Sequence, residues 1–305
     1  MSYIAVAGGV NVDIGARPFE KLRAKDSNPG HVHTSLGGVG RNIAHNLRML
    51  GADVEMFTAL GSDGYAREML DSCAKLDIGL SHALHVLGAP TSTYVYICDE
   101  RGDMAVAVSD MEICERLTPD YFAQKLDVLN GAELVVADTN LPAESLRFLA
   151  ENLTVPLFVD PVSVSKAEKL TPLLSRIHTL KPNGLEAELL SGIPVVDRNS
   201  ARRATRKLID LGVKRVFLSL GKEGFLAAAD DETVWQPAPD ATVVNVTGAG
   251  DALMAAIAWS WLRGENLSKT AAIGAAAAAI TIECESTISP ALSGDAVLAR
   301  AADEA

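Results

Sequence analysis

Residues 245–254 read NVTGAGDALM. The run ATVVNV at 241–246 leads in and reads as a strand, and DALMAAIAWSWL leads out as a helix. Gly248 and Gly250 permit a tight turn and keep side chains away from an approaching ligand. The first N–H groups of a helix lack partners, so with the helix dipole Gly248, Ala249 and Gly250 form an anion hole. Asp251 stands directly behind them. An acid in the first turn stabilises the helix dipole. A carboxylate beside an anion hole also suits a general base, which takes a hydroxyl proton as that oxygen attacks phosphorus. The stretch alone leaves both readings open.

Outward from this turn, short apolar runs alternate with helix-period segments. Strands are expected at Ile4–Ala7, Val54–Ala59, Leu134–Ala137, Leu157–Asp160, Thr179–Leu180 and Arg215–Ser219. Helices are expected at Arg41–Leu50, Gly64–Leu76, Ala143–Asn152, Gly184–Ser191 and Ser200–Leu211. In the first of these helices Ile43, Ala44, Leu47 and Leu50 share a stripe, and Gly51 stops it. Unbroken buried strands alternating with helices mean βαβ units and a parallel sheet covered on both faces. Residues 91–109 break the rhythm as two alternating runs joined by DERGD, a hairpin signal. That ribbon suits a lid or a dimer clasp. The 305 residues show no interdomain linker, so one α/β domain is expected.

The formal charge of −12 argues against nucleic acid or an anionic membrane as partner. The four cysteines are far apart, with no CxxC pair, and read as reduced thiols. The N-terminal MSYIAVAGGVNVD meets Asp13 early and reads as a strand rather than a signal peptide. The run AAIGAAAAAITI at 271–282 is too short to span a bilayer. A soluble, cytoplasmic protein is expected.

Further motifs sit at strand ends. In SLGGVGRNIAHNL, Gly38 allows close backbone approach and Asn42 offers a donor and an acceptor to a polyhydroxylated ligand. A dinucleotide fingerprint fits poorly there, because no buried strand leads in and position 43 is Ile. In GGVNVDIG, Asn11 and Asp13 alternate and share one side of an extended segment. In LKPNGLEAELL, Asn183 and Glu186 have capping-box spacing and also stand where a magnesium–phosphate cluster would lie. LSLGKEGFLA reads as strand, glycine turn and strand, with Ser219, Gly221 and Gly224 against a nucleotide. FVDPVSVSK ends a strand at Asp160 and supplies Lys166.

GGVGRN and NVTGAGD, with NVD, NGLE and LSLGKEG in order, resemble the signatures of the ribokinase (PfkB-type) carbohydrate kinases over nearly the whole chain. The resemblance implies a ribokinase-like three-layer α/β sandwich with a mostly parallel central sheet. It also implies a small β-sheet lid from segments near 10–40 and 91–111. Within the family, the strings DSNPGHVHTSLGGVGRNIAHNL, VSDMEI, VDPVSVSK and IHTLKPNGLEAELLSGI are similar to those of bacterial kinases acting on pseudouridine. The implied reaction is ATP-dependent phosphorylation of the pseudouridine 5′-hydroxyl. Other acceptors remain open: adenosine, inosine, cytidine, fructose or ribose. So does a non-catalytic nucleoside sensor, although the intact Asp251 speaks against it.

The resemblance also assigns roles. Asp251 is the base, and Gly248, Ala249 and Gly250 form the anion hole. Asn11, Asp13, Gly38 and Asn42 hold the ribose, while Thr93, Asn140 and Lys166 face the base or ribose. Asn183, Ser219, Gly221 and Gly224 lie on the nucleotide side. Glu186 meets Mg2+ through water. Asn245 and Thr247 mark a monovalent-cation site for K+, although many relatives carry Asp where Asn245 stands. Val39 replaces the lysine of ribokinase itself, which counts against plain ribose. A homodimer through the lid is implied.

Overall fold

The computed structural model describes residues 2–303. Among them, nine strands form one sheet. Its order is Glu232–Gln236, Phe225–Ala229, Arg215–Ser219, Thr179–Leu180, Leu157–Asp160, Leu134–Asp138, Ile4–Ala7, Val54–Phe57 and Ile78–Gly79. Pairing is parallel from Arg215–Ser219 onward and antiparallel across the first three strands. Alternation along each strand builds two cores. Ile4 and Val6 join a cluster under helices Val39–Met49, Ala249–Leu262 and Leu267–Ile282. Ala5 and Ala7 join the opposite cluster, with Leu146, Ala187 and Leu208 of the other helices. The alanine-rich pair 249–262 and 267–282 is apolar on nearly every side because it is buried between neighbours. No described helix is long and apolar enough to cross a membrane.

The chain runs from Ile4–Ala7 outward to Val54–Phe57, then returns to Leu134–Asp138 on the other flank. That reversal places a crevice at the carboxyl ends of strands Ile4–Ala7 and Leu134–Asp138, the usual ligand position in open α/β sheets. Above it stands a four-stranded sheet in the order Gly30–Gly37, Asn11–Pro18, Thr93–Cys98 and Met104–Asp110. It is mixed, since the central pair Asn11–Pro18 and Thr93–Cys98 is parallel.

Most expected elements appear within a residue or two of their predicted ends. Two differ for physical reasons. The strand expected over Val54–Ala59 leaves the large sheet after Phe57, and Ala59–Leu60 pairs instead with Leu84–His85. The strand expected at 241–246 is irregular. Its N–H groups at Val244 and Asn245 donate to the Ile282 carbonyl, at 2.8 and 3.1 Å, rather than to a neighbouring strand.

Helix Val39–Met49 starts at Gly38, whose φ of +100° suits glycine. A β-carbon there would lie 2.5 Å from the Gly9 carbonyl oxygen, so Gly38 lets the helix press against the crevice. Gly38→Ala is expected to lower stability by about 2 kcal/mol or more, the scale of stored backbone strain. Thermal and denaturant unfolding of the variant measures this. An unchanged midpoint would mean that the helix start moves freely.

Candidate active site

Asn42, in the second turn of its helix, donates its side-chain N–H to Asp251 Oδ2 at 2.8 Å. This bond joins the two glycine-rich signatures across 209 residues of chain. Asn42 Oδ1 is buried without a protein partner, which leaves an acceptor for a ligand hydroxyl. Burial pushes the Asp251 carboxyl up to about 7, and the nearby Asp160 charge adds to that rise. Asn42 and Lys181 pull in the other direction. A carboxyl tuned near neutral pH is suited to accept a proton.

Gly248 takes φ +87°, and a β-carbon there would strike the Thr287 carbonyl oxygen at 2.0 Å. Its carbonyl accepts from Ala252 N at 2.9 Å, and Ala249 N leans on Val246 O at 3.4 Å. Among the described residues the N–H groups of Gly248, Gly250 and Asp251 have no acceptor and are left to face an anion, while that of Ala249 is already partly used. Beside this turn lies a cavity of about 630 Å³. The expected residues Ser219, Gly221, Gly224, Ala249 and Gly250 all line it. Its far walls are apolar, from Pro237, Val243, Val246 and Leu253, which suits the flat face of a nucleobase. Asn183 bridges to Ser219, continuing the parallel pairing of their strands at the carboxyl ends.

A second cavity, of about 1000 Å³, opens between the small sheet and the turn. Asp13, His33, Ser35, Tyr94 and Tyr96 line one side, with Asn245, Thr247 and Glu285 opposite. Asn11 donates to Asp13 Oδ1 at 2.6 Å, as their shared strand face implies. Burial raises the Asp13 carboxyl above its ordinary range, against the pull of Asn11, Arg41 and His33. Thr93 pairs in register with Val12, so it belongs to the other face of the sheet and is not brought to Asp13. Its neighbours Tyr94 and Tyr96 take that place. Asn140 and Lys166 do meet, through a hydrogen bond from the Lys166 ammonium, next to Gly9 at the crevice.

Sequence reading passed over three buried charges. Asp138, Asp160 and Lys181 end three adjacent parallel strands or follow them directly, and each is at least nine-tenths buried. Asp138 accepts from Gly9 N at 2.9 Å and from Asn140 N at 2.8 Å, yet burial still raises its carboxyl to about 6. Lys181 pairs with Asp160 at 3.2 Å. Burial opposes its charge, but Asp160, Glu186 and Asp251 outweigh burial and hold it above the ordinary lysine value. The available signal was position: an ionisable residue next to the carboxyl end of an otherwise apolar strand.

Glu186 is buried and closes a capping box, accepting from Asn183 N at 2.9 Å with Oε2. Among the described residues its one backbone donor is Asn183, so the carboxylate keeps acceptor capacity, which fits a magnesium ion held mainly by phosphates and water. The donor set at Asn245 does not fit an open cation site. Its Oδ1 accepts from Thr247 N and its Nδ2 donates to Glu285 O, both at 2.9 Å. The amide itself ties the turn to the 285 loop.

The model of the pfkB family carbohydrate kinases matches residues 1–293. The chain is 38% identical to the pseudouridine kinase of Escherichia coli (strain K12) over 293 residues, 95% of this chain and 94% of that protein. It is 27% identical to the guanosine-inosine kinase of Exiguobacterium acetylicum over 263 residues, 84% of this chain and 86% of that one. A carbohydrate kinase structure from Agrobacterium tumefaciens superposes with TM-score 0.87 at 27% identity, covering 99% of this chain and 97% of that one. The Arabidopsis thaliana ribokinase complexed with ribose and ATP superposes with TM-score 0.87 at 23% identity, covering 99% of both chains. The chain belongs to the pfkB family of carbohydrate kinases and is a phosphotransferase with an alcohol group as acceptor.

Proposed function

We propose that the chain transfers the γ-phosphoryl group of ATP to the 5′-hydroxyl of pseudouridine. The Asn42–Asp251 bond carries this reading, because it joins a carboxyl raised to about 7, next to Gly250 of the nucleotide cavity, to a side chain next to Arg41 of the acceptor cavity. The similarity to the E. coli pseudouridine kinase supports the choice of acceptor. A cavity of about 1000 Å³ also leaves room for more than a bare pentose.

In this reading Asn11, Asp13, the Gly38 backbone and Asn42 hold the ribose. Asn140 and Lys166 serve the ribose or base. ATP lies along Ser219, Gly221 and Gly224, with its γ-phosphate at the free N–H groups of Gly250 and Asp251. Magnesium, with Glu186 behind its water shell, neutralises phosphate charge. Asp251 takes the hydroxyl proton as the acceptor oxygen attacks in line, and the anion hole holds the charge on the transferred group. The small sheet lies over the acceptor and excludes water.

The opposite face of that sheet exposes Val32 (69%), Val106 (54%) and Val108 (67%) beside half-buried Ile97. Such a patch at an open sheet edge suits self-pairing, so the enzyme is a homodimer through this face.

Asp251→Asn is expected to lower kcat by about 10² to 10⁴, the range for a lost general base. In the wild type, kcat/KM should rise with pH through about 7, as Asp251 loses its proton. A flat acid limb, or full activity in the variant, would remove Asp251 from this role. A coupled assay across pseudouridine, uridine, adenosine, inosine, cytidine, ribose and fructose tests the acceptor. Pseudouridine should lead by at least about tenfold, the discrimination a hydrogen-bonding pocket readily supplies. Activity confined to ribose or fructose contradicts the assignment.

Replacing K+ by Na+ should leave the rate within about twofold, because Asn245 already makes the link a cation would make. Stronger K+ activation would show that the amide yields to an ion. Val106→Lys with Val108→Lys should give a monomer by light scattering at micromolar concentration. A persistent dimer places the interface elsewhere.

A further inference from the structure

The anion-binding turn lies over a buried cation. A β-carbon on Gly250 would sit 3.3 Å from the Lys181 ammonium, so Lys181 lies directly beneath the turn. Burying an ammonium costs several kcal/mol unless charge and hydrogen bonds compensate. Lys181 has three N–H donors, and among the described residues Asp160 is its one hydrogen-bonded acceptor. Two donors are therefore left over in a site where every polar group would ordinarily be used.

Asp160, at the end of strand Leu157–Asp160, is in contact with this ammonium, and the charges of Glu186 in helix Gly184–Ser191 and Asp251 in helix Ala249–Leu262 also favour its protonated form. A structural ion pair needs only one of them. A buried ammonium with one acceptor, spare donors and a glycine directly above it can meet a further anion at Gly250.

We propose that Lys181 is a catalytic residue, donating its two free N–H groups to the γ-phosphoryl group as it passes over Gly250. This rests on the transfer reading above. In that step the bond from the acceptor oxygen to phosphorus forms and the bond from phosphorus to the β–γ bridging oxygen breaks. The electron pair of the broken bond stays on ADP, and the hydroxyl proton goes to Asp251. Lys181 keeps its protons throughout and offsets the charge spread over the equatorial oxygens. Asp160 is the positioning residue that keeps the ammonium charged and aimed, anchored in turn by the N–H of Val162 at 2.9 Å.

The test is Lys181→Met in the full-length enzyme, with Lys181→Gln as the second variant should the first not fold. Folding is checked by circular dichroism and by ADP binding in calorimetry. The expected result is a kcat lower by about 10²- to 10³-fold, the loss typical of one donor to a transition-state oxyanion. The acceptor KM should change little. The acid limb of the pH profile should move upward, because Asp251 loses the cation that holds its carboxyl down. Aluminium fluoride with ADP and acceptor should bind wild type far more tightly than the variant, while ADP alone binds both alike.

A variant with near-normal kcat and undiminished aluminium fluoride binding overturns the proposal and leaves Lys181 as a structural ion pair. Asp251→Asn run in parallel separates the two claims. If Asp251→Asn is inactive while Lys181→Met is active, the transfer reading stands and only this inference fails. If wild type phosphorylates no alcohol acceptor, the reading itself fails.

Discussion

A half-buried carboxyl beside a phosphate cradle is the constraint around which this molecule is organised. Asp251 has one direct neutral partner, the side chain of Asn42, and one cation near it, Lys181. Either contact requires distant parts of the chain to meet at one point. Helix Val39–Met49 must press against the crevice, which needs a glycine at position 38. Helix Ala249–Leu262 must begin with its N-terminus aimed at the same point, which needs Gly248 in the left-handed region. The parallel sheet supplies Asp138, Asp160 and Lys181 at adjacent strand ends. The fold thus concentrates charge at its topological switch point and surrounds it with two apolar cores.

The arrangement costs stability. A half-buried acid raised from its ordinary value to about 7 binds a proton in the folded chain that it releases when unfolded. Between these two values the folded state holds more protons, so this contribution to stability falls as pH rises through that window. Asp138, raised to about 6, acts in the same direction. Such strain is characteristic of sites where chemistry is favoured over stability.

Much of the fold was legible because buried parallel strands read as short unbroken apolar runs and the helices carry a clean periodicity. Leu157–Asp160 and Ala143–Asn152 have no competing local signal. Residues 241–246 misled for the converse reason. Their β-branched valines favour a strand locally, but the sheet already ends at Glu232–Gln236, and the segment forms a cavity wall. At the site, glycine turns and Asn42 were visible as motifs. Thr93 was chosen from its place in the ribbon alone, because a strand alternates with period two and only the register with Val12 puts it on the face away from Asp13. Lys181 was hidden between an apolar strand and a proline. Its meaning depends on Asp160 and Gly250, which are near it only in space.

Direct titration of the central carboxyl tests this account most squarely. Carbon-13 NMR of enzyme labelled at aspartate side-chain carboxyls would follow each group with pH, with Asp251→Asn supplying the assignment. A resonance that titrates near 7 in the wild type and is absent from the variant is the expected result. If the Asp251 resonance instead titrates in the ordinary aspartate range, near 4, the carboxylate is not poised to take a proton at neutral pH, and the central claim is wrong.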